Sequence, residues 1–127
     1  MSLPTDANSR KSIPLATGFL DYFPDAIVAI AALSRVGNDQ HNPGKPLHWD
    51  RSKSADEADA LLRHLLERGK LDSDGVPHTV KVAWRALALL QKELEAARAG
   101  EYLDEVQLGL FDKFARPVPC PLTRRDD

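Results

Sequence analysis

The residues of this chain that could bind a ligand or move a proton are concentrated in its middle. Between residues 41 and 84 lie all four histidines and both tryptophans: His41, His48, His64, His78, Trp49 and Trp84. An imidazole changes its charge near neutral pH, and an indole offers a flat ring for stacking. Such a concentration favours a ligand-binding or catalytic site, while half-buried packing between helices is the ordinary alternative.

A cationic stripe is predicted on one face of a helix that begins near Val76-Pro77. At 100° per residue, four side chains fall within about 60° of one another: His78, Lys81, Arg85 and Lys92. An oligophosphate would place one phosphate at the helix N-terminus and others on the cations, although a solvated helix face explains the same pattern. We predict that His78, Lys81 and Arg85 bind substrate on the outer side of this helix. The expected core side holds Val80, Ala83, Trp84, Leu87, Leu90 and Leu94.

Carboxylates near the start of the same helix are candidates for holding Mg²⁺ or Mn²⁺. Asp72 and Asp74 flank the turn into the helix, while Glu57 and His64 lie about 20° apart on the preceding helix. We predict Glu57, Asp72 and Asp74 as metal ligands, and His64 with Asp72 as the catalytic pair. An Asx turn leading into a helix explains the same acidic residues without a metal.

The spacing of apolar residues predicts an all-α fold, a small bundle of about three main helices with a long loop. We expect a flexible arm over residues 1–20 and a helical domain over residues 21–99. Because the first helix is apolar all round, we predict a homo-oligomer or a bundle completed by the tail. The second helix is expected to bury Ala58, Leu61, Leu62 and Leu65. The expected bounds are Pro24 to Gly37, a Ser54–Glu57 capping box to Gly69, and Val76-Pro77 to about Ala99.

The segment over residues 38–53 has neither helical nor strand periodicity and contains two prolines and a glycine. Loops of this length in a small domain are usually functional or disordered, and we expect a functional one. Trp49 would stack on a base. The predicted substrate-binding residues of this segment and of the helix that follows are His41, Lys45, His48, Trp49 and Arg63.

Composition excludes several classes of protein. The single cysteine, Cys120, excludes an intramolecular disulfide and a Cys-rich zinc site. A net charge of −2 gives no basic field for direct nucleic-acid binding. No apolar run reaches the roughly 18 residues of a membrane helix, and the N-terminus lacks the apolar core of a signal peptide. We therefore expect a soluble, intracellular protein with one domain of ordinary size.

Residues from about 12 to 98 resemble the phage and prophage family named after the dATP/dGTP diphosphohydrolases, in its N-terminal domain. The resemblance implies a small helical protein, cytoplasmic in a bacterial or phage-infected cell. It also implies an activity that cleaves purine deoxynucleoside triphosphates to monophosphate and pyrophosphate with a divalent metal. It rests on Phe23-Pro24-Asp25-Ala26, the segment from Gly37 to Trp49, Arg63-His64-Leu65, Asp72, Gly75, Pro77-His78 and the apolar run from Ala83 to Leu90.

One departure keeps the function open. All-α pyrophosphatases of the MazG-like class hold metal with E-x-x-E on one helix and E-x-x-D on the next. Here the second helix offers only Asp56-x-x-Asp59, and the third has no acid between His78 and Lys92. Either the metal is held by a different set, which is His64, Asp72, Asp74 and His78, or the domain binds a nucleotide without cleaving it.

The tail suggests a third function, interaction with the replication machinery. Gln107-Leu108-Gly109-Leu110-Phe111 resembles the short peptide with which bacterial proteins dock on the DNA polymerase sliding clamp. Gln107 would form hydrogen bonds while Leu108, Leu110 and Phe111 fill an apolar pocket. A short amphipathic helix from Tyr102 to Phe114 that folds back on the bundle is the alternative.

Overall fold

The structure is a computed structural model, and it describes residues 3–100 of the 127. Over these residues the chain is helical and forms no named strand, apart from one isolated bridge between Leu71 and Pro77. The predicted all-α fold is confirmed. The α-helices are α1 (Ala7–Lys11), α2 (Pro24–His41), α3 (Glu57–Leu66) and α4 (His78–Arg98), with a π-helical turn at Ala16–Leu20 and a 3₁₀ turn at Arg51–Lys53.

The chain divides into two compact units. One comprises residues 23–94, and it holds α2, α3 and α4 as far as Leu94. The other comprises, of the described residues, 3–22 and 95–100. In that second unit, α1 is capped by Asp6, whose carboxylate accepts from the backbone N–H of Ser9 at 2.9 Å. The arm predicted over residues 1–20 therefore contains a capped helical turn.

α2 begins where the sequence predicts but ends later. Pro24 occupies the first turn, where a missing N–H costs nothing, and Asp25 complements the helix dipole. The predicted stop at Gly37 is wrong, because the helix continues to His41 and Gly37 has no positive φ. The chain turns instead at Gly44, whose φ of 75° favours glycine. His41 consequently lies on the last turn of α2 and not in the loop.

The start of α3 differs from the predicted capping box. The helix begins at Glu57, and its N-cap Asp56 makes no side-chain capping bond. Ser54 cannot cap the helix because its hydroxyl donates to Asp56 Oδ1 at 2.9 Å and accepts from Arg85 Nη1 at 3.0 Å. The serine therefore joins α3 to α4 instead of closing the end of α3.

The inward faces of α3 and α4 are not the ones that the apolar pattern predicts. On α3, Glu57 and Ala60 are buried, whereas Leu62 and Leu65 of the expected stripe are 56% and 40% exposed, and Ala58 is exposed as well. On α4, the expected core residues Leu87 and Leu90 are 43% and 49% exposed. The cations expected outside, Lys81, Arg85 and Lys92, are half-buried because carboxylates from other elements pair with them inside the unit.

The centre of the 23–94 unit is small and polar. Its buried side chains are Ala60 and Ala88 together with two polar ones, Asn38 and Glu57. Trp84 links α4 to α2, since its Nε1 donates to Ser34 Oγ at 3.1 Å. Because no large side chain among the described residues is fully buried, hydrogen bonds and ion pairs contribute much of what orders this unit.

Length and composition of the helices bear on membrane insertion. Among the described residues, no single helix is long and apolar enough to cross a bilayer. The segments Ala7–Leu20 and Pro24–His41 meet the same test of length and composition only when taken together, as a bent pair.

Candidate functional site

A cleft of about 920 Å³ opens in the 23–94 unit between α2, the following loop, α3 and α4. Its walls combine charged and polar side chains with the apolar surface of two tryptophan rings. Many of the residues singled out from the sequence line it: His41, His48, Trp49, Glu57, His64, Asp72, Asp74, Lys81, Trp84 and Arg85.

Two histidines and an aspartate meet beside this cleft. His64 on α3 and His78 at the start of α4 lie Nδ1 to Nδ1 at 2.8 Å, with ring centroids 5.1 Å apart. Asp72 Oδ2 is 4.0 Å from His78 Nδ1. One ligand atom from each of the three residues lies within 4.8 Å of the others, and all three residues are half-buried. Within residues 3–100 this is the one such group of His, Cys, Asp or Glu side chains.

Burial, followed by the charges of His78 and Lys81, lowers the pKa of His64 below its usual 6.5. Its ring is therefore biased towards the neutral form. That form suits both the histidine–histidine hydrogen bond, in which one ring donates and the other accepts, and a ligand role towards a metal.

Lys81 is held between two carboxylates. Its Nζ donates to Asp72 Oδ2 at 2.6 Å and to Asp74 Oδ2 at 2.8 Å. The bond from Lys81 is the largest cause that lowers the pKa of Asp72 to about 2. Burial opposes the charge on Lys81, but its bonds to Asp72 and Asp74 outweigh burial and raise its pKa. The ammonium and both carboxylates are therefore fully ionised at neutral pH.

The turn that carries these carboxylates is held by backbone N–H groups that donate to them. Asp74 Oδ1 accepts from Val76 N at 3.0 Å, and Asp72 Oδ1 accepts from Ser73 N at 2.6 Å. Gly75 closes the turn with a φ of 81°. From α2, Gln40 Nε2 donates to Asp74 Oδ2 at 3.3 Å. Asp74 thus forms an Asx turn through Oδ1, whereas Asp72 Oδ1 accepts from the residue that follows it, and each aspartate points its other oxygen at Lys81.

A second ionic cluster surrounds Glu57, which is 5% exposed. Its Oε1 lies 2.9 Å from Lys92 Nζ and 3.7 Å from Arg85 Nη1. Lys92 Nζ also donates to the carbonyl oxygen of Ser54 at 2.6 Å. Burial alone would raise the pKa of Glu57, but the bond from Lys92 and the smaller contributions beside it hold it below its usual value. The carboxylate is therefore charged and paired.

The tryptophans form an aromatic wall. Trp49 and Trp84 pack edge to face with their centroids 5.6 Å apart. Arg51 places its guanidinium 4.2 Å from the centroid of Trp49, a cation–π distance, and Arg85 lies 5.7 Å from that of Trp84. Trp49 accordingly has a planar cation on one of its faces.

A family model described as dATP/dGTP diphosphohydrolase, N-terminal, matches residues 4–102 of this chain. The chain belongs to this family. The resemblance given on the sequence motifs is confirmed, and the match includes every residue that lines the cleft. Comparisons with curated proteins and with solved structures give no match.

Within this dATP/dGTP diphosphohydrolase N-terminal domain, the residues proposed as metal ligands fall in different clusters. Asp72 and Asp74 share Lys81, whereas Glu57 is paired with Lys92 and Arg85. The ligand atoms that approach one another most closely come from His64, Asp72 and His78. Which of these residues hold a metal stays a prediction.

The residues proposed to bind substrate differ in their positions relative to the cleft. His41, His48, Trp49, Lys81 and Arg85 line the cleft, while His78 does not line it and contacts His64, which does. Arg63 does not itself line the cleft but pairs at 2.8 Å with Asp56, which does, and both side chains are more than half exposed. The carbonyl oxygen of Lys45 accepts from Asn38 Nδ2 at 3.1 Å. Their roles towards a nucleotide remain predictions.

Sequence reasoning missed three residues that shape the cleft of this family member. Asn38 is 4% exposed and braces the loop through Lys45 O and His48 N, and Gln40 reaches Asp74. Arg51 covers Trp49. The sequence signal for two of them was the polar end of α2, where Asn38 and Gln40 follow a mostly apolar first half. The predicted docking residues Gln107, Leu108, Leu110 and Phe111 lie outside the described residues.

Proposed function

We propose that this chain takes part in cleaving purine deoxynucleoside triphosphates to the monophosphate and pyrophosphate with a divalent metal. The observation that carries the proposal is the convergence of His64, Asp72 and His78 beside a cleft that also holds two tryptophans. Membership of the dATP/dGTP diphosphohydrolase N-terminal family supports the substrate class. The cleft volume of about 920 Å³ is adequate for a nucleotide.

The donor set fits a divalent cation. Two imidazole nitrogens and a carboxylate oxygen lie within 4.8 Å of one another and leave other positions open. When bound, such an ion would polarise a phosphate oxygen and lower the pKa of a water molecule. His64, Asp72 and His78 would hold it, and Lys81, at 2.6 Å from Asp72, would keep that carboxylate ionised until the ion arrives.

Charge balance in the cleft supports a dependence on metal. Asp72, Asp74 and Glu57 supply three negative charges, and Lys81, Arg85 and Lys92 supply three positive ones, so the two described clusters sum to zero. A triphosphate therefore meets no surplus of positive charge in these clusters. A divalent cation would add that surplus, because its charge is not already paired. Lys81 and Arg85 line the cleft and would take phosphate oxygens by exchanging partners.

The aromatic wall supplies a place for the base. Trp49 lines the cleft, lies edge to face with Trp84 and has the guanidinium of Arg51 over its ring. A purine has the larger stacking area of the two base classes, and it would pack on Trp49 either opposite Arg51 or by displacing it. The aromatic wall thus favours purines over pyrimidines but does not distinguish one purine from another by its exocyclic groups.

A second candidate is nucleotide binding without turnover. It is supported by the contacts of Lys81, which already occupies the space between Asp72 and Asp74 and satisfies both carboxylates without an ion. The missing E-x-x-E and E-x-x-D pair points the same way. In this alternative the protein would sequester its nucleotide.

Incubation with dGTP, dATP and dCTP, with Mn²⁺, Mg²⁺ or Co²⁺, separates the two candidates by chromatography of the products. The enzyme should release monophosphate and pyrophosphate from the purine nucleotides, and Asp72→Asn should lower that rate at least tenfold. Asp59→Asn is the matched control, because it neutralises an exposed acid of α3 that does not line the cleft. Tight binding of intact nucleotide would reject the enzyme in favour of the binder. No thermal shift with any nucleotide would reject both.

We also infer that the chain forms a homo-oligomer. The support is the exposed outer sides of α3 and α4, where Leu62, Leu66, Leu87 and Leu90 are 56%, 80%, 43% and 49% exposed. Large exposed apolar side chains at helical spacing mark interaction sites more often than isolated ones do. A second copy offers the same leucines in return, so both copies would bury apolar surface by one symmetric contact.

A further inference from the structure

We propose that His64, His78 and Asp72 form a site selective for a borderline divalent transition ion, of the Co²⁺ or Zn²⁺ type, over Mg²⁺. Lys81 holds the carboxylate of Asp72 until such an ion arrives. The inference deepens the proposed function, because it names the class of ion that the cleft takes. It rests on the identity of the donor atoms and on their distances.

The donor atoms carry the selectivity. Two of the three converging ligand atoms are imidazole nitrogens and only one is a carboxylate oxygen. Imidazole favours cobalt, nickel, copper and zinc, whereas Mg²⁺ takes oxygen ligands in a nearly ideal octahedron and keeps several waters. Within this group Mg²⁺ finds a single protein oxygen ligand in place of a carboxylate cage.

The distance between the Nδ1 atoms of His64 and His78 is also close to that between two nitrogens that bind the same ion. Two nitrogens at about 2.0–2.1 Å from one ion lie about 2.9–3.4 Å apart for angles between octahedral and tetrahedral. The two Nδ1 atoms are 2.8 Å apart in the structure. A few tenths of an ångström therefore convert the hydrogen-bonded pair into a pair of ligands. The ring that carries the shared proton on Nδ1 would carry it on Nε2 instead, so both rings stay neutral.

Lys81 competes for the third ligand. Its Nζ is 2.6 Å from Asp72 Oδ2, the same oxygen that lies 4.0 Å from His78 Nδ1. An arriving cation must share or take this oxygen from an ammonium that is only 16% exposed. Lys81 keeps a second carboxylate partner in Asp74 at 2.8 Å, so it can give up Asp72 without being left unpaired. Removing the ammonium should therefore strengthen ion binding.

Titration of the full chain, stripped of metal with a chelator, tests the proposal through the visible absorption of Co²⁺ and by calorimetry with Co²⁺, Zn²⁺ and Mg²⁺. We expect one ion per chain and an affinity for Co²⁺ or Zn²⁺ at least a hundredfold above that for Mg²⁺. His64→Gln and His78→Gln should each weaken Co²⁺ binding at least tenfold. His41→Gln and His48→Gln should leave the Co²⁺ affinity unchanged, and Cys120→Ser removes a thiolate signal at Cys120.

Lys81→Met gives a readout that misfolding cannot imitate. It keeps the length of the side chain, removes the competing charge, and should raise the affinity for Co²⁺ severalfold. Equal affinities for Mg²⁺ and Co²⁺ would overturn the proposal. So would weaker Co²⁺ binding by Lys81→Met, if its circular dichroism spectrum is unchanged. Co²⁺ binding without nucleotide cleavage would leave it standing and reject the enzyme. Cleavage with Mg²⁺ in a chain that does not bind Co²⁺ would support the enzyme and reject the proposed transition-ion site.

Discussion

The imidazoles of His64 and His78 face each other with their Nδ1 atoms 2.8 Å apart, so one ring must donate and the other must accept. Two fully protonated rings could not keep this contact, because both nitrogens would carry a proton. The pair therefore ties the junction of α3 and α4 to the protonation state of the histidines. It also makes the geometry of the candidate site sensitive to pH.

Stability should fall as the pH drops below neutral, and His64 should account for part of the fall. Its pKa in the folded chain is below the usual 6.5, first because of burial and then because of His78 and Lys81. The unfolded chain thus binds the proton more readily, so this stability is present above pH 6.5 and is lost as the pH falls through the lowered pKa. Thermal unfolding from pH 7.5 to 5.5 should show a smaller loss for His64→Gln than for the wild type.

His41→Gln is the matched control for this experiment, because His41 is exposed at the end of α2. The stability of His41→Gln should fall between pH 7.5 and 5.5 as steeply as that of the wild type. The chosen window lies above the usual range of the carboxylates, so their titration does not contribute. Parallel slopes for His64→Gln and the wild type would contradict the role of the pair.

The buried carboxylate of Glu57 should contribute more to the free energy of unfolding than an exposed carboxylate does. Glu57→Gln removes the partner of Lys92, which lies 2.9 Å away and is 24% exposed, and leaves a half-buried ammonium without its countercharge. We expect the free energy of unfolding to fall by about 2–3 kcal/mol, less than the roughly 3–5 kcal/mol of a fully buried pair, because Lys92 is partly exposed. Urea denaturation measures the change.

The control for Glu57 is Glu67→Gln. Glu67 pairs with Lys70 at 3.3 Å, with both side chains at least half exposed, so its loss should cost less than about 0.5 kcal/mol. If the two variants lost the same amount, the cluster around Glu57 would be no more than a surface contact.

The all-α fold, the start of α2 and the concentration of chemistry in the middle of the chain follow from the sequence. Proline and aspartate at the start of α2 act locally, so their effect is visible in the residues themselves. The Asp72–Gly75 turn is local for the same reason.

The orientation of α3 and α4 could not be predicted in this way. An apolar stripe is expected to face inward, but that rule assumes that charged side chains have no partners inside. Lys81 has Asp72 and Asp74, and Lys92 has Glu57, which is 35 residues away along the chain. Such pairs depend on how separate elements meet. The stop at Gly37 failed for a related reason, because Asn38 braces a loop that closes several residues later.

The loop that carries His48 and Trp49 should depend on one side chain of α2. Asn38 Nδ2 donates to Lys45 O at 3.1 Å, and Asn38 Oδ1 accepts from His48 N at 3.2 Å. Asn38→Ala removes both bonds in a buried place, and we expect a loss of about 1–3 kcal/mol. Hydrogen exchange should show faster exchange of the His48 amide. Asn38→Asp, which keeps the acceptor for His48, should protect that amide better than Asn38→Ala; equal exchange in both would refute the bracing role.

The exposed leucines of α3 should control self-association. Leu62→Glu combined with Leu66→Glu places charges on side chains that are 56% and 80% exposed, so a single chain should tolerate them with little loss of helix content. Light scattering coupled to size exclusion should report a shift from an oligomer to a monomer. Asp59→Lys, a charge change at an exposed position of the same helix, is the control and should leave the mass unchanged. If the wild type is already monomeric at high concentration, the inferred homo-oligomer does not form.

The tail is expected to act as a docking peptide for the bacterial sliding clamp, a prediction that rests on the sequence of residues 107–111 alone. Gly109 lowers helix propensity by about 1 kcal/mol relative to alanine, which weakens the alternative of a packed amphipathic helix. Leu110→Ala with Phe111→Ala should abolish clamp binding, measured by surface plasmon resonance, while the melting temperature stays nearly constant. If those side chains belonged to a core, the same pair would cost several kcal/mol. A double variant that unfolds, together with a wild type that never binds the clamp, would show that this segment packs and does not dock.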